Sequence, residues 1–239
     1  MIKVIFVADL HIDIGEVGRL QALELFIASQ QVPIFIMGDL FNFWAGNAQG
    51  NLGYVRHFLR FLRKECKQKP IFFLAGNRDF LFSPLFQKRL GGKVIEDGYS
   101  LELGKNRVVL YHGDALCTGD KSYLAMKKWL QSQFVYYLSR LIPSNLCVKI
   151  GRKFRQQSKK ATKNKDKTDM SLDYNHISNI LDNANHDILI CGHTHEPHHK
   201  ILNETDQKQL YVLPECKNMC ISYLEWSNNQ FVYKEKSYD

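Results

Sequence analysis

Apolar positions along this chain follow two alternating rhythms. Short, nearly continuous runs occupy residues 2–7, 34–37, 71–74, 107–111 and 188–191. Runs of this length predict strands covered on both faces, because a strand with one wet face would alternate apolar with polar. Between them the spacing changes to three and four. Residues 19–30, with Leu20, Leu23, Leu25, Phe26 and Ile27, and residues 54–67, with Val55, Phe58, Leu59 and Leu62, predict amphipathic helices. Pro33 stops the first of them. Shorter strands are expected at 94–95 and 100–103, the latter turning at Lys105-Asn106 into 107–111. Beyond residue 195, the stretches 209–213, 219–226 and 231–236 read as antiparallel strands, with a turn at Asn228-Asn229.

This plan breaks between residues 120 and 169. A helix over 121–141 carries an aromatic apolar side of Leu124, Trp129, Leu130, Phe134, Tyr137, Leu138 and Leu141, and Pro143 ends it. A basic helix follows from 146 to about 160, then a polar loop over 159–170, then a helix over 176–183 that leads back into the strand before His193. The expected fold class is α/β, an α+β sandwich whose sheet core is flanked by helices and gathers its ligand site at the strand ends. Its core comprises residues 1–119 and 170–239. Residues 120–169 form a helical lid inserted over the strand ends.

Composition narrows the class. The chain has 239 residues, 45% hydrophobic and 23% charged, as expected of a soluble globular protein with a sizeable core. The first apolar run leads directly into Ala8-Asp9 and reads as a strand, not a signal peptide. No run approaches the length of a membrane span. Six scattered cysteines without a CxxC pair point to a reduced, cytoplasmic protein. The net charge of +8 is concentrated in Lys149, Arg152, Lys153, Arg155, Lys159, Lys160, Lys163, Lys165 and Lys167, opposed there by Asp166 alone. Such a patch suits nucleic acid, an anionic membrane or a phosphorylated substrate.

Candidate chemistry sits where the strands end: Asp9-x-His11, Gly38-Asp39, Gly76-Asn77-Arg78-Asp79, His112-Gly113-Asp114 and Gly192-His193-Thr194-His195. Gly192 is expected to permit the turn that lets both following imidazoles face one way. Asp9, His11, Asp39, Asn77, His112, His193 and His195 are too many donors for one tetrahedral ion. They suit two divalent ions about 3.5–4 Å apart that share a bridging carboxylate. Oxygen and imidazole donors without thiolate favour Mn²⁺, Fe²⁺ or Mg²⁺ over a structural zinc.

These motifs resemble those of the calcineurin-like metallophosphoesterase superfamily over nearly the whole chain. Within it, Gly38-Asp39-Leu40-Phe41-x-x-Trp44, Gly76-Asn77-Arg78-Asp79-Phe80-Leu81, His112-Gly113-Asp114-x-Leu116-Cys117-Thr118-x-Asp120-x-x-Tyr123 and the basic Arg155-x-x-Ser158 are similar to the UDP-2,3-diacylglucosamine pyrophosphatases of lipid A biosynthesis. The resemblance implies a metallophosphoesterase-type sheet core. Asp9, His11, Asp39 and His195 would hold one metal, and Asp39, Asn77, His112 and His193 the other, with Mn²⁺ the expected ion. It implies catalytic roles for Asp39, Asn77, Arg78 and His112. Substrate contacts would come from Asn77, Arg78, Asp120, Tyr123, Ser158, Thr162, Lys165 and His193. The implied reaction releases UMP and 2,3-diacylglucosamine 1-phosphate from a UDP-linked diacylated glucosamine lipid. The implied location is the cytoplasmic face of the inner membrane, through peripheral contact with anionic lipid. Three positions depart from that pattern: Asn42 and Asn47 replace usual acids, and Thr162 replaces an Asn that normally touches the sugar-phosphate.

Two other readings compete. The same basic patch would serve a phosphoesterase acting on a nucleotide or nucleic acid, but a nucleic-acid groove has no use for Leu124, Leu130, Leu138 and Leu141 along one helix side. No nucleic-acid partner is therefore expected, and no protein partner is inferable from the sequence. A scaffold that has lost its metals is disfavoured because all seven ligand positions carry competent residues.

Overall fold

The computed structural model describes residues 3–238 except 14, 45, 80, 82–83, 131, 133, 136, 138–141, 164–170 and 204. The apolar runs become β1 (Val4–Val7), β2 (Ile34–Met37), β3 (Ile71–Leu74), β6 (Asn106–Leu110) and β7 (Ile188–Cys191). Every residue of β1, β2 and β7 is buried, as two covered faces require. Helix α1 (Val17–Ser29) and helix α2 (Gly53–Glu65) lie where the three-four spacing placed them.

The strands do not form one sheet. A six-stranded sheet runs β11-β10-β1-β2-β3-β4, with β4 at Lys93–Ile95, β10 at Cys220–Ser227 and β11 at Gln230–Ser237. A five-stranded sheet runs β5-β6-β7-β9-β8, with β5 at Tyr99–Leu103, β8 at His198–Asn203 and β9 at Lys208–Val212. In the first sheet β1 to β4 are parallel, β10 pairs antiparallel with β1, and β11 pairs antiparallel with β10. In the second, β6, β7 and β9 are parallel between antiparallel edges. The sheets pack face to face through Phe6, Phe35, Met37, Leu74, Val108, Leu110, Ile190 and Trp226. The outer face of the first sheet is covered by Leu23, Phe26 and Ile27 of α1 and Phe58 and Leu62 of α2. On the second, Ile177 and Leu181 of α6 (Tyr174–Asn183) pack on Val109, Leu189 and Leu210. Asp173 caps α6 by accepting from His176 N at 3.0 Å. The result is a four-layer sandwich, helix on sheet on sheet on helix.

Two elements escape the sequence pattern: α3 (Pro84–Leu90) and the edge strand β8. The helix expected over 121–141 forms as α4 (Lys121–Leu130), and Phe134, Val135 and Tyr137 beyond it are again helical. Leu138 and Leu141 lie outside the described residues, as does the side chain of Leu124. The basic segment forms α5 (Ser144–Lys163). It packs beside the 3₁₀ turn Asn47–Asn51, with the Phe43 and Phe154 ring centroids 5.3 Å apart. No helix among the described residues is long and apolar enough to cross a membrane.

Candidate metal centre

The carboxyl ends of β1, β2 and β3 in one sheet and of β6 and β7 in the other open onto a common point. Five of the expected ligands adopt left-handed backbone angles there: Asp9 (φ 52°), His11 (46°), Asp39 (52°), His193 (74°) and His195 (61°). Such angles cost a side-chain-bearing residue roughly 1–2 kcal/mol each and persist only when the surroundings enforce them. Here Asp9 N donates to Gly38 O (3.2 Å), His11 N to Asp39 O (2.8 Å) and His193 N to Asp9 Oδ2 (2.8 Å). Asp79 joins the second and third loops by accepting from Gly76 N (2.6 Å), Leu40 N (2.7 Å) and Asp39 N (3.3 Å). Burial and the neighbouring Asp39 charge push the Asp79 carboxyl up to about 7.

Gly192 is needed for a reason other than the one its position suggested. Its own φ is not positive; the turn is made by His193 and His195. A Cβ at Gly192 would lie 2.6 Å from Asp9 Oδ2, so the residue is small to let the carboxylate in. Gly76 does the same for Asp39, whose Oδ1 would clash with an added Cβ.

Two donor groups emerge. Asp9, His11 and His195 bring one ligand atom each within 4.8 Å of one another, and so do Asp9, Asp39 and His112. His11 Nδ1 is 3.5 Å from Asp39 Oδ2, and His112 Nε2 is 3.7 Å from Asp39 Oδ1, so Asp39 stands between the groups. His112 donates from Nδ1 to Met37 O (2.9 Å), which turns Nε2 inward. Asn77 lies 3.1 Å from that nitrogen, and with its oxygen inward it faces acceptors only. The amide turned the other way donates to Asp39 Oδ2 at 2.8 Å. The His193 ring packs edge-on against His112, centroids 5.3 Å apart. Asp9 Oδ1 is buried without a hydrogen-bond partner, with His195 Nε2 at 3.6 Å and His11 Nε2 at 3.7 Å.

The electrostatics agree with a cation site. Burial alone would raise Asp9, but the imidazoles of His195, His112 and His11 pull it down to about 2. Burial would lower His112, but Asp39, Asp114 and Asp9 raise it to about 9. Burial, with Arg78 for His11 and His112 for His193, drives those imidazoles down to about 2 and about 4, leaving both neutral. Buried carboxylates, inward lone pairs and an orphaned oxygen are a donor set that divalent cations fit.

Arg78 stands beside this cluster, its Nε 3.2 Å from Asp39 Oδ2 and its Nη1 2.8 Å from His11 Nδ1. Asn42, where an acid was usual, accepts from Arg78 Nη1 at 3.0 Å and so steers the guanidinium. Arg155 of α5 approaches the same place. Burial and the Arg78 charge pull its guanidinium below the ordinary arginine value, while Asp39 opposes them.

Of the expected substrate contacts, Asp120 and Tyr123 sit at the root of α4 and bond inward. Asp120 accepts from Tyr123 N at 3.1 Å, and the Tyr123 hydroxyl donates to Asp114. Asp114 also takes Lys127 Nζ at 2.8 Å, and Asp97 accepts from His112 N at 2.7 Å, two contacts the sequence did not single out. Ser158 and Thr162 fall on α5, but their side chains lie outside the described residues, as do the Asn47 side chain and Lys165.

Comparison with known proteins identifies the family of the chain. Residues 2–197 match the calcineurin-like phosphoesterase family. UDP-2,3-diacylglucosamine hydrolase of Shewanella piezotolerans is 31% identical over 82% of this chain and 83% of its own. The enzymes of that name from Proteus mirabilis and Coxiella burnetii are each 30% identical, over 81% and 87% of this chain and 82% and 87% of theirs. The chain belongs to the calcineurin-like phosphoesterase family and is a metal-dependent hydrolase.

Proposed function

We propose that the protein hydrolyses the pyrophosphate bond of UDP-2,3-diacylglucosamine, a step of lipid A biosynthesis, to UMP and 2,3-diacylglucosamine 1-phosphate. The observation that carries this reading is the convergence of buried acceptors with Arg78 and Arg155 beside them, in a chain whose curated relatives bear that substrate in their names. Asp9, His11, Asp39 and His195 would hold one divalent ion, and Asp39, Asn77, His112 and His193 the other; the donor set suits Mn²⁺, Fe²⁺ or Mg²⁺, and the family resemblance singles out Mn²⁺. Such a pair supplies a water nucleophile active near neutral pH and neutralises charge on phosphoryl oxygens.

The chain's own residues do the rest. Arg78 and Arg155, two guanidiniums drawn toward one space, offer planar forks to the pyrophosphate oxygens. Asn42 and Asp39 keep the Arg78 fork aimed at the centre. The segment 120–169 acts as a lid over the core formed by residues 1–119 and 170–239. Its surface leaves Trp129 61%, Phe134 70% and Tyr137 59% exposed, with Met126 and Leu146 exposed nearby. Apolar area of this kind suits acyl chains, and the exposed Lys149, Arg152 and Lys153 on α5 suit peripheral contact with an anionic membrane. Asp120, Ser158, Thr162 and Lys165 lie on the lid and would meet the sugar-phosphate there. Tyr123 is placed to support that contact through Asp114.

The test incubates the Mn²⁺-loaded protein with UDP-2,3-diacylglucosamine, a UDP-sugar without acyl chains and bis-nitrophenyl phosphate. UMP is expected from the acylated substrate by a wide margin. Trp129→Ala with Phe134→Ala should raise KM for that substrate more than about tenfold, since each side chain buried against lipid contributes ~1.5–3 kcal/mol. Hydrolysis of bis-nitrophenyl phosphate should scarcely change. Equal action on both UDP compounds, or on neither, would leave a metallophosphoesterase of a different phosphoester.

A further inference from the structure

Among the imidazoles at the centre, His195 has the least support from the fold. His112 is locked by Met37 O, whereas the His195 side chain is 28% exposed and stands on a loop at φ 61°. What faces its outer nitrogen comes from just beyond the β8–β9 hairpin. Glu215 Oε2 lies 3.5 Å from His195 Nδ1, while His195 Nε2 points inward, 3.1 Å from His11 Nε2 and 3.6 Å from Asp9 Oδ1.

Glu215 does not reach there on a loose loop. It bridges to Ala8 in parallel register, and Cys216 N donates to Asp9 O at 3.2 Å, so its backbone is tied to the chain just past β1. The Arg19 guanidinium on α1 fixes the same segment from behind. Its Nη2 donates to Leu10 O (2.5 Å) and Cys216 O (3.0 Å), and its Nη1 to His11 O (3.3 Å) and Glu16 Oε2 (3.2 Å). One planar cation thus ties the backbone of the Asp9–His11 turn to the segment that presents Glu215.

We infer that Glu215 is a positioning residue for the Asp9–His11–His195 half of the metal centre. Its carboxylate faces His195 Nδ1–H as the acceptor, 3.5 Å away, and so holds the Nε2 lone pair inward, with Arg19 keeping its backbone in register. The inference rests on the two-ion reading given above. An imidazole whose second nitrogen donates to a carboxylate is fixed in tautomer and orientation, and loss of such a partner typically costs about 10–100-fold in metal affinity. Lys217 Nζ, 3.6 Å from the same Glu215 oxygen but 75% exposed, is a solvent-side neighbour of no consequence for the ion.

The experiment loads purified protein with Mn²⁺, adds graded amounts of a chelator and measures the manganese retained per chain. Glu215→Ala should release one ion at a chelator concentration about 10–100-fold lower than wild type, with the other ion unmoved. Glu215→Gln, which keeps an acceptor oxygen without the charge, should fall between, and Lys217→Ala should match wild type. Retention of both ions by Glu215→Ala at the wild-type chelator concentration overturns the inference. So does early loss of both ions together, which would mean general loosening. Wild-type protein that never holds two ions overturns the two-ion reading itself, and this inference with it.

Discussion

The molecule buries acids in two different ways. At the end of α2, Glu65 lies 2.7 Å from Lys69 Nζ, and that ammonium also donates to Ile27 O (2.6 Å) and Gln30 O (2.7 Å). Both side chains are out of solvent and every strong group has a partner below 3 Å. At the carboxyl ends of the strands, Asp9 Oδ1 has no hydrogen-bond partner, its nearest nitrogens are imidazoles beyond 3.5 Å, and inward-facing acceptors crowd around it. A buried acid with an internal cation is satisfied by the fold alone. A buried acid left among acceptors is arranged for a cation from solution, and the local stability surrendered there serves function.

The sharpest break in this comparison comes from Asp39→Ala. Removing the carboxylate between the two donor groups should take manganese content and hydrolysis down together. Activity should fall by more than the roughly 10²–10³-fold that loss of a single charge-stabilising donor costs. The chelated variant should melt close to chelated wild type, because burial pushes the Asp39 carboxyl up and its charge adds little to folding. Two ions retained with near-normal turnover would remove Asp39 from the bridging position.

Much of this centre was legible because its elements are local. The strands Ile34–Met37 and Ile71–Leu74 lie at the residues their apolar runs marked, and each delivers its motif at the next turn. What the sequence could not show is whatever depends on distant chain segments meeting. The strands divide between two sheets, a matter of pairing that no single run encodes. The edge strand β8 is mostly exposed and reads His-His-Lys-Ile-Leu-Asn, without the alternation that marks a strand. Arg19 meets Cys216 across 197 positions, and Glu215 meets His195 from beyond an entire hairpin. Gly192 was legible as necessary but not why, since the clash it avoids is with Asp9 at the other end of the chain.

Glu65→Gln probes the other side of the comparison. It leaves the Lys69 ammonium buried without its carboxylate, and breaking a buried pair from one side costs about 3–5 kcal/mol. For a chain of this length that lowers Tm by roughly 6–20 °C. Manganese per folded chain and turnover should stay at wild type, the reverse of the Asp39→Ala pattern. A variant that melts normally would show that the pair contributes nothing net, and the contrast between satisfied and unsatisfied acids would lose its stabilising half.

Glu225 on β10 offers the smallest and most specific test, because its partners are half in water. Lys3 and Lys234 reach it at 2.9 and 2.8 Å, and their side chains are 39% and 42% exposed. Solvent screening limits such pairs to about 1 kcal/mol or less, worth at most roughly 2–4 °C in Tm here. Burial would raise the Glu225 carboxyl, but hydrogen bonds from Lys234 and Lys3 outweigh it and hold the group below its ordinary value of 4.5. A carboxyl lowered by folding stabilises fully above its unfolded pKa, and that contribution disappears as pH falls through the lower folded value. The Tm difference between wild type and Glu225→Gln should therefore be constant from neutral pH down to about 4.5 and shrink below it, with manganese content unchanged throughout. A difference that widens in acid would mean the buried carboxyl is raised, not lowered, as burial raises Asp39, and that the two lysines do not outweigh burial here.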